Sequence, residues 1–314
     1  MAADLLEQTR LMREGKATAL NSSKKILIFG PAKVGKTALA GTIVKVPGIS
    51  RVFWFDLEKG FETIQTLKTS EGEYVFSEDE IAKINLINVV DYPDEPIAVT
   101  TLLESFSART PVKICTTHGK INCPICGTNA DSVQFNMRSL GPADAVIIDS
   151  GTQLGISALN IGERENETQF LKQSYAKAAP MLNDIFTMIQ TSLCHVVMVA
   201  HEYELTKEVP TSKKGQTQTV ITDVVPSILS RNYGRNVGKN FGHVLYMTKQ
   251  TGKFSSISDP LARKELTVGS RSGIDFSEYS NPSLELLYRS IEPDKPKYKA
   301  NSGGGLKVNL NAGK

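Results

Sequence analysis

The sequence predicts an α/β fold: a mostly parallel central sheet covered by helices on both faces. Three observations lead there. Short runs rich in β-branched and aromatic residues alternate with helical patterns; several of those runs, at 25–29, 144–149 and 194–200, are apolar over most of their length; and several of them end in a charged or polar side chain. Continuous apolar strands belong to a sheet buried on both faces, and polar strand ends belong to the edge where such sheets place their sites.

The elements follow in order. Residues 1–23 carry a weak amphipathic pattern (Leu5, Leu6, Met12) and read as an N-terminal helix and linker. The core spans 24–292, opening with a strand over 25–29, a helix over 36–45, a strand over 51–56 and a helix near 60–68. A strand over 84–90 and a helix over 96–108 come next. After an interruption at 110–140 the alternation resumes with a strand over 144–149, a helix over 167–191, a strand over 194–200, and strands near 243–249 and 264–270. From 293 to 314 the chain is rich in Pro, Lys, Asn and Gly, the composition of a flexible tail.

Composition excludes several classes. With 314 residues, 40% hydrophobic and 22% charged, the chain can bury one large core. No apolar run approaches the ~20 residues of a membrane helix, and the N-terminus lacks the basic-then-apolar layout of a secretory signal, so the expectation is a cytoplasmic protein with no membrane partner. A net charge of +3 is too small to imply nucleic-acid binding by itself.

The first strand runs directly into Gly30, Pro31, Ala32, Lys33, Val34, Gly35, Lys36 and Thr37, followed by Ala38 at the start of a helix. This is G-x-x-x-x-G-K-T, a loop whose backbone N–H groups close round a β-phosphate. Lys36 reaches the β- and γ-phosphates, and the Thr37 hydroxyl faces Mg²⁺. The ligand class is a nucleoside triphosphate. Asp149, closing the apolar run 144–149, is the expected Mg²⁺ carboxylate. Glu58, two residues beyond the strand ending at Asp56, is placed to align a water on the γ-phosphate, with Asp56 supporting the turn. His201, following the strand 194–200, is a candidate sensor of the γ-phosphate.

Cys115, His118, Cys123 and Cys126 form C-x2-H-x4-C-x2-C inside the interruption. Two pairs two residues apart, offering four soft or borderline ligands, suit tetrahedral Zn²⁺ with no open position, which makes the site a structural staple. Lys113, Lys120 and Arg138 nearby leave open a contact with nucleic acid or protein. Segment 203–240 holds Lys207, Lys213, Lys214, Arg231, Arg235 and Lys239 with Tyr203 and Tyr233 interleaved, a composition for gripping single-stranded DNA through a flexible loop. A second loop over 155–169 is a further contact, against which Glu163, Glu165 and Glu167 weigh.

Taken in order, these motifs resemble the RecA-like P-loop NTPase core. More narrowly they resemble the small phage RecA-like nucleotide-binding proteins related to Sak-type single-strand annealing ATPases. The resemblance covers roughly residues 24–275. It implies ATP as the nucleotide, Glu58 as the water-activating group, Asp149 on Mg²⁺, and His201, where RecA usually has Gln, opening a DNA-binding loop. It also implies a homo-oligomer, filament or ring, completing each site with a basic residue in trans. Arg271 stands at that position, where RecA has two lysines. Single-stranded DNA, a single-strand-binding protein and the cytoplasm of a phage host complete the implied setting. A hexameric helicase or translocase, and a nucleotide-controlled scaffold or sensor without a DNA role, are the rival readings.

Overall fold

The computed structural model describes residues 23–92, 94–127, 131–165, 171–210, 217–250, 253–259, 265–271 and 282–291. The expected N-terminal helix, the tail, Lys213, Lys214 and the start of the strand near 264–270 lie outside these residues.

Six parallel strands form the centre: β1 (Lys25–Gly30), β2 (Arg51–Asp56), β3 (Ile84–Asn88), β6 (Asp144–Asp149), β7 (His195–Pro210) and β9 (His243–Gln250), in the order β9-β1-β7-β6-β2-β3. The antiparallel β10 (Lys253–Ile257) and β11 (Gly269–Ser270) pair with β9, and β8 (Thr217–Pro226) pairs with β7. β4 (Val112–Cys115) and β5 (Ser132–Phe135) make a separate antiparallel ribbon inside the expected 110–140 insertion.

The apolar strands are explained by the two cores they separate. Leu27, Phe29, Phe53, Phe55, Val146, Ile148, Val196 and Met198 face one side. There they meet α4 (Ile97–Ser107), α5 (Gly151–Arg164) and α6 (Leu171–Thr191). Their alternate neighbours, Ile26, Ile28, Val52, Trp54, Ala145, Ile147, Val197 and Val199, face α1 (Lys36–Gly41), α2 (Glu62–Thr66) and α8 (Leu284–Ile291). Two short helices, α3 (Glu78–Ile81) and α7 (Arg231–Val237), complete the set among the described residues. Both faces are covered, so in β1, β6, β2 beyond Arg51 and β7 as far as Ala200 a strand position is buried whichever way it points.

Three expectations are corrected. The expected helix 36–45 is α-helical only to Gly41 and tightens into a 3₁₀ turn over Thr42–Lys45. The expected loop over 155–169 is largely helix, α5 (Gly151–Arg164), capped by the Ser150 hydroxyl, which accepts from the Gln153 N–H. The expected flexible loop after His201 is a long hairpin. β7 runs past the sheet to Pro210 and returns as β8, with a register shift between Leu205 and Thr206. Among the described residues no helix is long and apolar enough to cross a membrane.

Candidate active site

The carboxyl edge of the sheet gathers the expected groups because the register lines them up. Gly30 pairs with His201, Asp149 with Val199 and with Asp56, and Asp56 with Asn88. Asp56, Asn88, Asp149 and His201 therefore stand at one edge of the sheet, with His201 next to Gly30 of the loop 30–37 and Asn88 four strands away.

That loop turns at Gly35, whose φ of 84° is open to glycine and strained for other residues. A Cβ on Gly30 would lie 2.3 Å from the Met247 carbonyl oxygen, so β9 and the loop can approach only because Gly30 has no side chain. Lys36 opens α1, and its ammonium donates to the carbonyls of Gly30 (3.0 Å) and Pro31. Burial lowers the Lys36 pKa, while Asp149, Glu58 and Glu202 oppose that shift and favour the cation.

Thr37 Oγ1 donates to Asp149 Oδ2 at 2.8 Å. A Cβ on Gly60 would come within 3.3 Å of that carboxylate oxygen and 3.5 Å of the Thr37 hydroxyl oxygen, so glycine keeps space open beside both. Burial pushes the Asp149 carboxyl up to about 7; the negative charges of Asp56 and Glu58 add to this, against the Thr37 hydrogen bond and Lys36. A buried carboxyl beside two other acids, next to a threonine hydroxyl and a space the size of a side chain, is a donor set suited to a divalent cation.

Glu58 is held at both oxygens. Ser150 Oγ donates to Oε1, and His201 Nε2 lies 3.3 Å from Oε2. Burial raises the Glu58 pKa, but the hydrogen bonds from His201 and Ser150 and the charges of His201 and Lys36 outweigh it, leaving the carboxyl below its ordinary value. Asp56 shapes the loop beneath: its carboxylate accepts from the N–H groups of Glu58 (3.3 Å), Gly60 (2.9 Å) and Phe61 (3.0 Å). His201 is itself anchored by its N–H donating to Thr152 Oγ1 (2.8 Å).

Lys36, Thr37, Glu58, Asp149 and His201 line a cavity of about 480 Å³ that continues along α1 past Leu39 to Leu67, Val75 and Pro282, an apolar end beyond the phosphate loop. Such a volume suits a nucleotide. Lys249 and Phe254 also line it, from the ends of β9 and β10, with the Lys249 ammonium 5.1 Å above the Phe254 ring. Sequence reading did not single out Ser150, Lys249 or Phe254. The signals were present, Ser150 as a helix cap directly after Asp149 and Lys249 as the charged end of a parallel strand.

Arg271 sits elsewhere. It follows β11, which pairs with the start of β9, and its guanidinium donates to the Lys239 carbonyl at 2.6 Å. That is the amino edge of the sheet, opposite the phosphate loop of its own chain.

The four expected metal ligands converge. Their ligand atoms all lie within 4.8 Å of one another, with Cys115 Sγ to Cys126 Sγ at 3.8 Å and His118 Nδ1 at 3.2 to 3.7 Å from the three sulfurs. Four ligands about 2.3 Å from one ion would stand about 3.8 Å apart, so the set fits a tetrahedron.

The basic segment is not one surface. Arg235 is paired with Asp223, and Arg231 donates to the Tyr203 hydroxyl (2.9 Å from Nε) and lies 4.9 Å over its ring. Tyr233 donates to Asn183 and packs on Phe186. Tyr203 and Lys207 remain exposed.

The sequence profile of the AAA domain family matches residues 22–272. The chain belongs to the AAA domain family. With its phosphate loop and strand-end acids it is a P-loop ATPase. No curated protein matches the sequence significantly. Among solved structures, a prototypical ATPase from the type III secretion system of pathogenic bacteria is 13% identical at a TM-score of 0.42, over 72% of this chain and 52% of that one, so the chain spans about half its length. The RadB recombinase is 14% identical at 0.34, over 79% and 84%. The assembled ATPase EscN with its central stalk EscO, from enteropathogenic E. coli, is 14% identical at 0.36, over 72% and 42%.

Proposed function

We propose that this AAA domain protein is a RecA-like, ATP-dependent recombination or annealing protein that binds single-stranded DNA and hydrolyses Mg²⁺–ATP at subunit interfaces. One observation carries the reading: β7 runs unbroken from the strand that pairs with β1, through His201 at Glu58, into the hairpin with β8. A change at the γ-phosphate that moves His201 is thereby conveyed to the arm that carries Tyr203 and Lys207. Tyr203, with Arg231 on its ring, offers a stacking face for a base, and Lys207 with Lys213 and Lys214 of the same segment offers charge for the phosphates.

In the chemistry proposed, Lys36 and the loop N–H groups hold the β- and γ-phosphates, and Thr37 and Asp149 hold Mg²⁺. The ion supplies charge neutralisation of the triphosphate when bound. Glu58 aligns a water and accepts its proton; Ser150 and His201 fix the carboxylate until that step. The test is whether single-stranded DNA accelerates hydrolysis.

A second reading, a nucleotide-controlled scaffold or sensor that binds protein, has its own support. The described hairpin strands carry Glu202, Glu204, Glu208 and Asp223 against Lys207. It predicts no acceleration by DNA.

We assign Arg271 a role only across subunits, since its place at the amino edge keeps it from its own phosphate loop. Mixing Arg271→Ala with Lys36→Ala chains then restores part of the activity each lacks; a mixture no more active than its components removes the assignment. The Cys115, His118, Cys123 and Cys126 set is proposed to hold structural zinc. Protein purified without chelators is expected to carry about one zinc per chain by elemental analysis, and to lose thermal stability when the metal is stripped. Finding none would refute it.

A further inference from the structure

We propose that the turn carrying Cys115 and His118 is a positioning element for Glu58, so that metal bound by the insertion governs turnover without governing nucleotide binding. This rests on the reading above that Glu58 activates water and that the four ligands hold zinc.

The links are direct. Asn88 ends β3 beside Asp56 in the register, and both its backbone N–H (2.9 Å) and its side-chain amide (3.0 Å) donate to the Thr116 carbonyl, inside the Cys115–His118 turn. Next to it, the Val89 N–H donates to the Asp56 carbonyl at 2.8 Å. The turn closes at Gly119, whose φ of 65° favours glycine and where a Cβ would lie 2.6 Å from the Asn88 carbonyl oxygen and 2.7 Å from the Val89 Cα. The Gly119 carbonyl in turn accepts from Thr101 Oγ1 on α4 at 2.7 Å, and Lys120 pairs with Glu95 at 2.5 Å. The metal-ligating turn is thus seated on residues 88–89, and those residues are bonded to Asp56, the group whose carboxylate gathers the N–H groups of Glu58, Gly60 and Phe61.

Beside this seam is a cleft of about 450 Å³, with Thr117 and His118 on one side and Lys59, Glu62 and Gln65 on the other. It gives the Glu58 loop room to move if the turn lets go. The phosphate loop and α1 hang from β1, four strands from β3 in the sheet order, so the turn bears on Glu58 through Asp56 and reaches Thr37 only through Gly60 at the end of the same loop. A bound ion holds Cys115 and His118 in one geometry; without it the turn keeps its bonds to Asn88, Thr101 and Glu95 but loses the cross-link between its own ends and Cys123 and Cys126, and the support under Asp56 slackens. Displacement of a catalytic group by about 1 Å can cost up to about a hundredfold in rate.

The chain's single tryptophan reports on this loop. Trp54 lies in β2, and its ring meets Phe61 edge-on at 5.2 Å. The experiment uses the full chain with its metal. Zinc is released with an organomercurial and quantified with a chromophoric chelator, while kcat, KM for ATP, affinity for a fluorescent ATP analogue and Trp54 emission are followed. Release is expected to lower kcat about tenfold, leave nucleotide affinity within about twofold, and shift Trp54 emission, all reversed by thiol and zinc. Gly119→Ala is the second arm: it keeps all four ligands and one zinc per chain, yet lowers kcat with the same Trp54 shift. Metal release with kcat and emission unchanged, a fully active Gly119→Ala, or parallel loss of nucleotide affinity overturns the proposal. Protein that carries no zinc refutes the zinc reading instead, and Gly119→Ala still decides the mechanical contact. Full turnover in Glu58→Gln refutes the assignment of Glu58 itself.

Discussion

Glu58→Gln is expected to lower kcat for ATP hydrolysis by at least about a hundredfold while leaving KM within a few-fold, the range set by loss of a general base. Glutamine keeps the size of the side chain and can still meet Ser150 and His201, so the loop built on Asp56 stays in place. What it loses is a carboxylate held below its ordinary pKa by those same partners, and therefore ionised at neutral pH and able to take a proton from water. Binding should survive because Lys36, Thr37 and the loop N–H groups stand on a different strand and helix. Single-turnover phosphate release separates the two effects. A kcat within twofold of the parent would move the catalytic base elsewhere.

Lys36→Ala acts at the other half of the reaction. The ammonium donates to the carbonyls of Gly30 and Pro31 in the phosphate loop, and the charges of Asp149, Glu58 and Glu202 favour its cationic form. Charge-assisted hydrogen bonds of this kind contribute about 1.5–3 kcal/mol each, so nucleotide affinity should fall by about 10- to 150-fold and hydrolysis by more, since the developing phosphate charge also loses its partner. The α1 scaffold remains, because Leu39 and Ala40 keep their burial whatever occupies position 36. Titration with a fluorescent ATP analogue, alongside a melting curve showing a folded protein, checks this. Undiminished affinity would mean that the triphosphate lies elsewhere in the cavity.

What was legible in the sequence was which polar residues stand at strand ends. Gly30 to Thr37, Glu58, Asp149 and His201 could be read because parallel strands deliver their last residues to one edge, and the register brings them together there. Asp56 was read as a turn support, and its carboxylate does accept three loop N–H groups. That Cys115, His118, Cys123 and Cys126 group together was legible from spacing alone, and their side-chain atoms converge.

The helix α5 was not legible, for a physical reason. Gly151, Gly155 and Gly162 depress helix propensity, yet a Cβ at these positions would come within 2.7 Å of Met198, 2.6 Å of Leu229 and 2.3 Å of Ser174. Those glycines serve close packing rather than a turn, which only the neighbours reveal. The hairpin was misread because Glu202, Glu204, Thr206, Lys207 and Glu208 outweigh the alternating Tyr203, Leu205 and Val209 where β7 leaves the sheet, and such a composition resembles a loop. Arg271 was read as a charge supplied across a subunit interface; that β11 runs antiparallel to β9 and delivers its end to the amino edge is a placement that strand order in the sequence does not disclose.

The most direct test of the account is the rate of ATP hydrolysis with and without single-stranded DNA, using Lys36→Ala as the blank. The account predicts basal turnover above the blank and strong acceleration by DNA, lost when salt screens the phosphate contacts. Real basal turnover that DNA leaves unchanged would contradict it and assign the hairpin to a protein partner.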